Sequence, residues 1–103
     1  MTAMREVILR PAAQADIEDI ADYTIGEWGH EQARLYVGDL RFAIERLATG
    51  ALRHQLHDDV LPGLRKLRCG RHLVFYLVTD GAVDVLRVLH DSRDVRRHLG
   101  LDA

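Results

Sequence analysis

The chain opens on Arg5-Glu6-Val7-Ile8-Leu9-Arg10, a short, β-branched and partly alternating run that predicts a strand. Pro11 follows, which cannot donate to a strand ladder but suits the first turn of a helix. From Ala12 onward Ala13, Ile17, Ile20, Thr24 and Trp28 recur at three- and four-residue steps, while Asp16, Glu18, Asp19 and Asp22 fall on the opposite face or in the first turns, where the helix dipole favours acids. This spacing predicts an amphipathic helix ending near Gly29. Ala33, Tyr36, Leu40, Ala43, Ile44 and Leu47 form the stripe of a second helix from Glu31 to about Thr49, with Gly50 in the capping position. Gly29 and His30 leave only a tight connection, so the two helices fold back as an αα-hairpin.

Ala51 to Gly63 contains a Pro-Gly pair, two Asp and two His without a helical or strand period, and reads as a loop. Three strands follow, Leu64 to Cys69, His72 to Val78 and Val83 to His90. They are separated by Gly70-Arg71 and by Asp80-Gly81, whose glycine supplies a positive φ for a hairpin. Adjacent Phe75 and Tyr76 point to opposite sides, one ring to the core and one to the sheet surface. Ser92 is placed to cap a short helix from Arg93 to Leu99, whose Val95 and Leu99 lie four apart. The order gives an α+β fold: an N-terminal strand, an αα-hairpin, then a three-stranded antiparallel meander with a short C-terminal helix. The hairpin covers one face of a mainly antiparallel sheet.

The 103 residues fit one domain spanning 1–103, and 48% apolar with 29% charged residues is the balance of a folded globule. No run is long enough for a signal peptide or for the ~20 apolar residues of a membrane span, so a cytoplasmic protein is expected. Lone Cys69 excludes an internal disulfide, and beside Gly70 it reads as a small semi-buried residue rather than a nucleophile. His54-x-x-His57-Asp58-Asp59 gathers ligand-type side chains in one loop. With no helix to fix both imidazoles and no further ligand spacing, it reads as solvated loop, and no metal or cofactor is expected. His30 and His98 read as surface or capping residues.

Net charge is only −2, which argues against a protein that coats nucleic acid through bulk electrostatics. The average hides a division. Met1 to Gly63 has six Arg against eleven acids, a net of −5, whereas Leu64 to Ala103 has seven Arg and Lys66 against five Asp, a net of +3. Thirteen of the fourteen cations are Arg, which suits bidentate pairing with carboxylate or phosphate, although a high-GC codon bias gives the same skew. The C-terminal half is where an anionic partner is expected.

Several segments then fall into a known pattern: Pro11-Ala12-Ala13 with Asp16-Ile17 and Ile20; Trp28-Gly29 with Gln32-Ala33 and Tyr36; Pro62-Gly63-Leu64-Arg65; Gly70-Arg71-His72-Leu73-Val74-Phe75-Tyr76; and Val85-Leu86-Arg87-Val88-Leu89-His90. In this order and spacing, from Arg10 to His98, they resemble the ParE branch of the RelE/ParE toxin superfamily. The resemblance implies the toxin of a type II toxin–antitoxin pair, neutralised by a ParD-like antitoxin through which alone operator DNA is reached. It implies DNA gyrase as the target for ParE-type members and mRNA in the ribosome for RelE-type members. Two departures stand out: Ser92-Arg93-Asp94 replaces a Met-Asp pair that usually follows the last-strand His, and Leu64 replaces an aromatic after the Pro-Gly.

On this basis the target-binding surface is expected on Arg65, Arg68, Arg71, Arg87, Arg93, Arg96 and Arg97, with no catalysis by the chain itself. The antitoxin is expected on Ile20, Tyr23, Trp28, Tyr36, Leu40 and Leu47, part of which must also cover the sheet. Trp28 is either the last core residue of its helix or a partner-facing anchor at the hairpin tip. The alternative is a ribosome-dependent endoribonuclease with His90 as acid or base and Arg65 and Arg87 on the phosphate. Arg68 would stand close by, and His57, Asp58 or Asp59 would reach over from the loop. Against it, the residue after His90 is Asp91, which repels phosphate and cannot stack on a base. His90 alternatively serves as a strand-end histidine bonded to backbone or to Asp91.

Overall fold

The computed structural model describes residues 4–100. Strand β1, Glu6–Leu9, passes through Arg10 into helix α1, Pro11–Trp28, with Pro11 in the first turn as expected. Ala13, Ile17, Ile20 and Thr24 form the buried stripe of α1, and the Thr24 hydroxyl is satisfied on the Ile20 carbonyl at 2.7 Å. Gly29 alone joins α1 to α2, His30–Glu45. Its φ is +90°; its N–H closes α1 on the Ile25 carbonyl and its own carbonyl accepts from Ala33 to open α2. Glycine takes that backbone angle without steric cost, so the tight αα-hairpin follows. The stripe of α2 buries Ala33, Leu40 and Ile44. The chain then breaks at Arg46, and α3, Leu47–Gly50, is a separate turn where one continuous helix to Thr49 was expected.

The sheet is built from β1, β2 (Gln55–Leu56), β3 (Arg65–Cys69), β4 (His72–Val78) and β5 (Ala82–His90), in the order β1-β5-β4-β3-β2. β1 lies parallel to β5 and every other pairing is antiparallel. The α+β architecture is therefore as expected, with one strand more. β2 belongs to the segment read as loop, which also contains a 3-10 turn at Ala51–Arg53. Gly81 does not carry the positive φ foreseen for it; Thr79 closes that turn instead, its N–H donating to the Ala82 carbonyl and its hydroxyl accepting from the Ala82 N–H. Among the described residues, no helix is long and apolar enough to cross a membrane.

Both faces of the sheet are covered. On the helical side Val74, Tyr76, Val83, Val85 and Val88 meet the buried stripes of α1, α2 and α3. Tyr76 is fully buried there; its hydroxyl donates to the Ala51 carbonyl at 2.6 Å, and burial pushes its ionisation up to about 12. On the other side Leu64, Phe75 and Leu89 form a second cluster under Val60 and Leu61 of the loop and Val95 and Leu99 around helix α4, Val95–His98. Phe75 is thus core and not sheet surface. The loop and α4 are tied together by the Arg96 guanidinium, which donates to the Asp59 carbonyl. Asp94, not Ser92, caps α4, accepting from the Arg96 N–H.

One irregularity decides what β5 presents. Phe75 pairs with Arg87 but Tyr76 pairs with Val85, so Leu86 is an extra, bulged residue. Counted back regularly from Val78 opposite Val83, His72 would face Leu89; the bulge moves the register by one, and His72 faces His90. Val88 and His90 are thereby turned to the helical side, and Leu86 and Leu89 to the other.

Candidate functional site

The helix-covered face ends in an open groove where the C-terminal half of α1, the start of α2 and the ends of β4 and β5 meet. Its floor is the cross-strand pair His72 and His90, whose rings sit edge to face with centroids 5.5 Å apart. Tyr36 reaches the pair from α2. Its oxygen accepts the Arg71 backbone N–H at 3.1 Å and lies 2.6 Å from His72 Nδ1. The hydroxyl also donates to the Cys69 carbonyl at 3.4 Å, so the direction of the Tyr36–His72 bond follows the imidazole tautomer. Gly70, at φ +59°, is required for this approach: a Cβ there would lie 2.8 Å from the Tyr36 ring. Burial, and then the nearness of His90, lower the His72 pKa below its ordinary 6.5, and Asp91 opposes them. The ring is neutral at pH 7.

His90 Nδ1 accepts the Ser92 N–H at 3.2 Å and lies 2.8 Å from the Ser92 hydroxyl, with an Asp91 oxygen 3.3 Å away. A hydrogen bond from Arg68, at 3.0 Å, lowers the Asp91 pKa and keeps that carboxylate charged. Burial raises the Cys69 and Tyr36 pKa values, so neither supplies an anionic nucleophile at neutral pH.

The groove consists of two adjoining cavities of about 690 and 290 Å³ that share Tyr23, His72 and His90 as walls. Tyr23 is 68% exposed and Trp28 71% exposed, large values for rings of their size. Arg71 borders the smaller cavity and Arg93 the larger. Both are exposed, and neither forms an ion pair within 4.0 Å among the described residues. The arrangement offers aromatic anchors beside unpaired guanidinium groups, the chemistry of a recognition surface for an apolar side chain and an acid.

The expected arginine surface is divided. Arg65 is half-buried and donates to the Leu52 and His54 carbonyls, Arg68 holds Asp91, Arg87 is clamped by Asp16 and by the His98 carbonyl, and Arg96 holds Asp59. Arg71 and Arg93 border the groove and Arg97 is exposed on α4. Of the residues expected to meet an antitoxin, Ile20, Leu40 and Leu47 are 8%, 0% and 1% exposed because they cover the sheet. Tyr36 is half-buried, while Tyr23 and Trp28 face solvent, so Trp28 is not the last core residue of its helix. Of the alternative catalytic set, His90 and Arg87 line the larger cavity together, and Arg65 stands apart. Arg65 pairs with Tyr76 and His90 with His72, so four residues of β4, about 13 Å, separate them along the sheet.

Nor does the loop reach His90. His57 stacks on Phe75 on the opposite face of the sheet with its Nδ1 buried and unbonded, and Asp58 accepts the Gly63 N–H at 2.7 Å. Among the described residues, no three His, Cys, Asp or Glu are grouped to hold a metal ion. The residue the sequence did not reveal as part of the site is His72, which reads as the first position of an apolar strand. Only the bulged register brings it to His90.

A family model described as the ParE toxin of the type II toxin–antitoxin system parDE matches residues 7–95. The chain belongs to this family. Among curated ParE proteins, Toxin ParE1 of Mycobacterium tuberculosis is 46% identical over 93 residues, covering 89% of this chain and 95% of the relative. Toxin ParE1 of Caulobacter vibrioides is 38% identical over 97 residues, covering 94% and 100%, and Toxin ParE of Escherichia coli 37% over 97 residues, covering 93% and 94%. Among solved structures, the fold is similar to a chain of the chromosomal ParDE toxin–antitoxin system from P. aeruginosa, with a TM-score of 0.75 at 22% identity, covering 84% of this chain and 96% of that one. It is also similar to a chain of the RelBE2 toxin–antitoxin complex from Mycobacterium tuberculosis, with a TM-score of 0.61 at 21% identity, covering 87% and 94%. The ParE fold and the ParE sequence pattern thus coincide over nearly the whole chain.

Proposed function

We propose that this ParE-family toxin acts in the cytoplasm by binding DNA gyrase and trapping it with cleaved DNA, and that a ParD-like antitoxin neutralises it by covering the groove. The observation that carries this reading is how the charged groups are distributed. Arg87 is sequestered by Asp16 and Arg65 lies at the far end of the sheet, whereas Tyr23, Trp28, Arg71 and Arg93 face outward around the groove, with Asp19 on its α1 wall. Outward-facing rings and guanidinium groups suit recognition of a protein surface, while Arg87, on the cavity wall beside His90, is held by Asp16 rather than free for a phosphate. The likeness to chains from toxin–antitoxin complexes supports a protein partner, whose apolar side chains fit Tyr23 and Trp28 and whose acids fit Arg71 and Arg93. Operator DNA is reached only through that antitoxin.

The test is a gyrase supercoiling and cleavage assay with purified toxin, titrated with and without antitoxin. Inhibition with accumulation of linear DNA, reversed by antitoxin, is the expected result. No effect at a dose that still stops growth overturns the gyrase reading. One observation favours a second reading, ribosome-dependent mRNA cleavage: the neutral His72 lies beside His90 in the groove. Full toxicity of His90→Ala removes that reading.

A further inference from the structure

Helix α2 presents to solvent a face that its own fold does not use. Leu35 and Phe42 are 49% and 60% exposed, seven residues apart and so two turns along one face, opposite buried Ala33, Leu40 and Ile44. Gly38 lies between them. Glycine inside a helix weakens it relative to alanine, yet nothing in the folded chain requires glycine here: its φ is not positive, and a Cβ would meet no atom within 4 Å. A residue without a side chain between two exposed apolar ones admits the close approach of another helix.

We propose that this face pairs with a second copy of the chain, with the two α2 helices antiparallel across a two-fold axis near Gly38. Leu35 of one copy then packs on Phe42 of the other, twice over. The charges at the ends of the strip point to this occupant. Glu31, exposed and ion-paired along its own helix with Arg34 at 2.7 Å, stands four residues before Leu35, and Arg46 stands four after Phe42 with its guanidinium 5.8 Å from the centre of the Phe42 ring. An antiparallel copy sets Glu31 against Arg46 at both ends, as a self-complementary interface requires, whereas a parallel copy sets like against like. Asp39, next to Gly38, meets its own copy near the axis and weakens the pair. A strip of 16 residues, about 24 Å long, belongs to the class below ~1,200 Å² of buried surface, so the dimer is reversible. Tyr36 projects about 100° round the helix from Leu35, which leaves the groove open in both copies.

Sedimentation equilibrium of the full chain over a concentration series tests the proposal. A reversible dimer is expected, with Phe42→Glu weakening it at least tenfold and Asp39→Asn tightening it. Gly38→Leu separates the interface from the fold: it should raise the melting temperature of the monomer, because leucine favours helix and finds open space, while weakening the dimer. Mixing Leu35→Cys with Phe42→Cys under oxidation should link the two, with wild type as the control for Cys69. A wild-type chain that stays monomeric throughout, or Leu35→Cys linking efficiently to itself, overturns the antiparallel dimer. So does loss of antitoxin binding in Phe42→Glu without any change in self-association, which would assign the face to the antitoxin.

Discussion

The carboxylate of Asp16 grips Arg87 with both oxygens, Nε to Oδ2 at 2.8 Å and Nη2 to Oδ1 at 2.7 Å, and also accepts the Val88 N–H at 2.8 Å. The third arm of the guanidinium donates to the His98 carbonyl at 2.9 Å. One ion pair therefore joins α1, β5 and the end of α4, and its hydrogen bonds raise the already high Arg87 pKa.

Asp16→Ala leaves a half-buried guanidinium without its counterion and a backbone N–H without its acceptor. The expected loss is about 3 kcal/mol, read from the urea midpoint. Arg87→Ala should lose toxicity in step with stability, as a positioning residue does. An Asp16→Ala variant that unfolds at the wild-type midpoint would remove the clamp from the account.

Leu40→Ala empties a fully buried site and should cost about 2–5 kcal/mol. Trp28→Ala removes an exposed ring and should change stability by no more than about 0.5 kcal/mol, yet weaken antitoxin binding at least about tenfold. Calorimetric titration of antitoxin into the two variants checks the contrast. Unchanged affinity in Trp28→Ala would take the hairpin tip out of the interface.

His72 makes stability depend on pH on the acid side. The unfolded imidazole takes up a proton near 6.5, while burial delays protonation in the folded chain, so below 6.5 the unfolded state binds more protons. Stability is therefore complete above 6.5 and falls as pH drops from there to the folded-state pKa. His72→Asn should flatten the melting-temperature profile on the acid side of pH 6.5. A profile that keeps its wild-type slope in this variant would assign the dependence to another group.

Arg71→Glu with Arg93→Glu reverses two exposed cations that make no ion pair within 4.0 Å among the described residues, Arg71 acting on Asp91 only at longer range. Growth inhibition should fall sharply at an unchanged melting temperature, measured by induced expression and by calorimetry on the same protein. Retained toxicity would separate the groove rim from the target.

The fold was largely legible because α1, α2 and the meander strands each carry their own period and each is long enough to show it. β2 was not, since two exposed residues, Gln55 and Leu56, have no period and owe their extended form to pairing with β3. That Phe75 and Tyr76 are both core was not legible, because alternation says which side a ring takes but not that Leu61, Val95 and Leu99 return over the second side. The same limit applies to the site. Tyr23, Trp28, Arg71, His90 and Arg93 could be picked out by residue type, but whether an arginine faces out or is spent on Asp16, Asp59 or a loop carbonyl depends on neighbours far along the chain. Nor does spacing distinguish Tyr23, which is exposed, from Ile20, Leu40 and Leu47 of the same stripe, which cover the sheet.

Leu86 acts as an inverter within β5. Were Leu86 drawn into regular pairing opposite Phe75, alternation would run on unbroken and the occupants of the two sheet faces downstream would swap without altering the connectivity of any strand or helix. His90 would leave the groove and Leu89 would enter it. A one-residue slip of register at the bulge is thus a route by which this scaffold can exchange a polar groove floor for an apolar one while every other element stays in place.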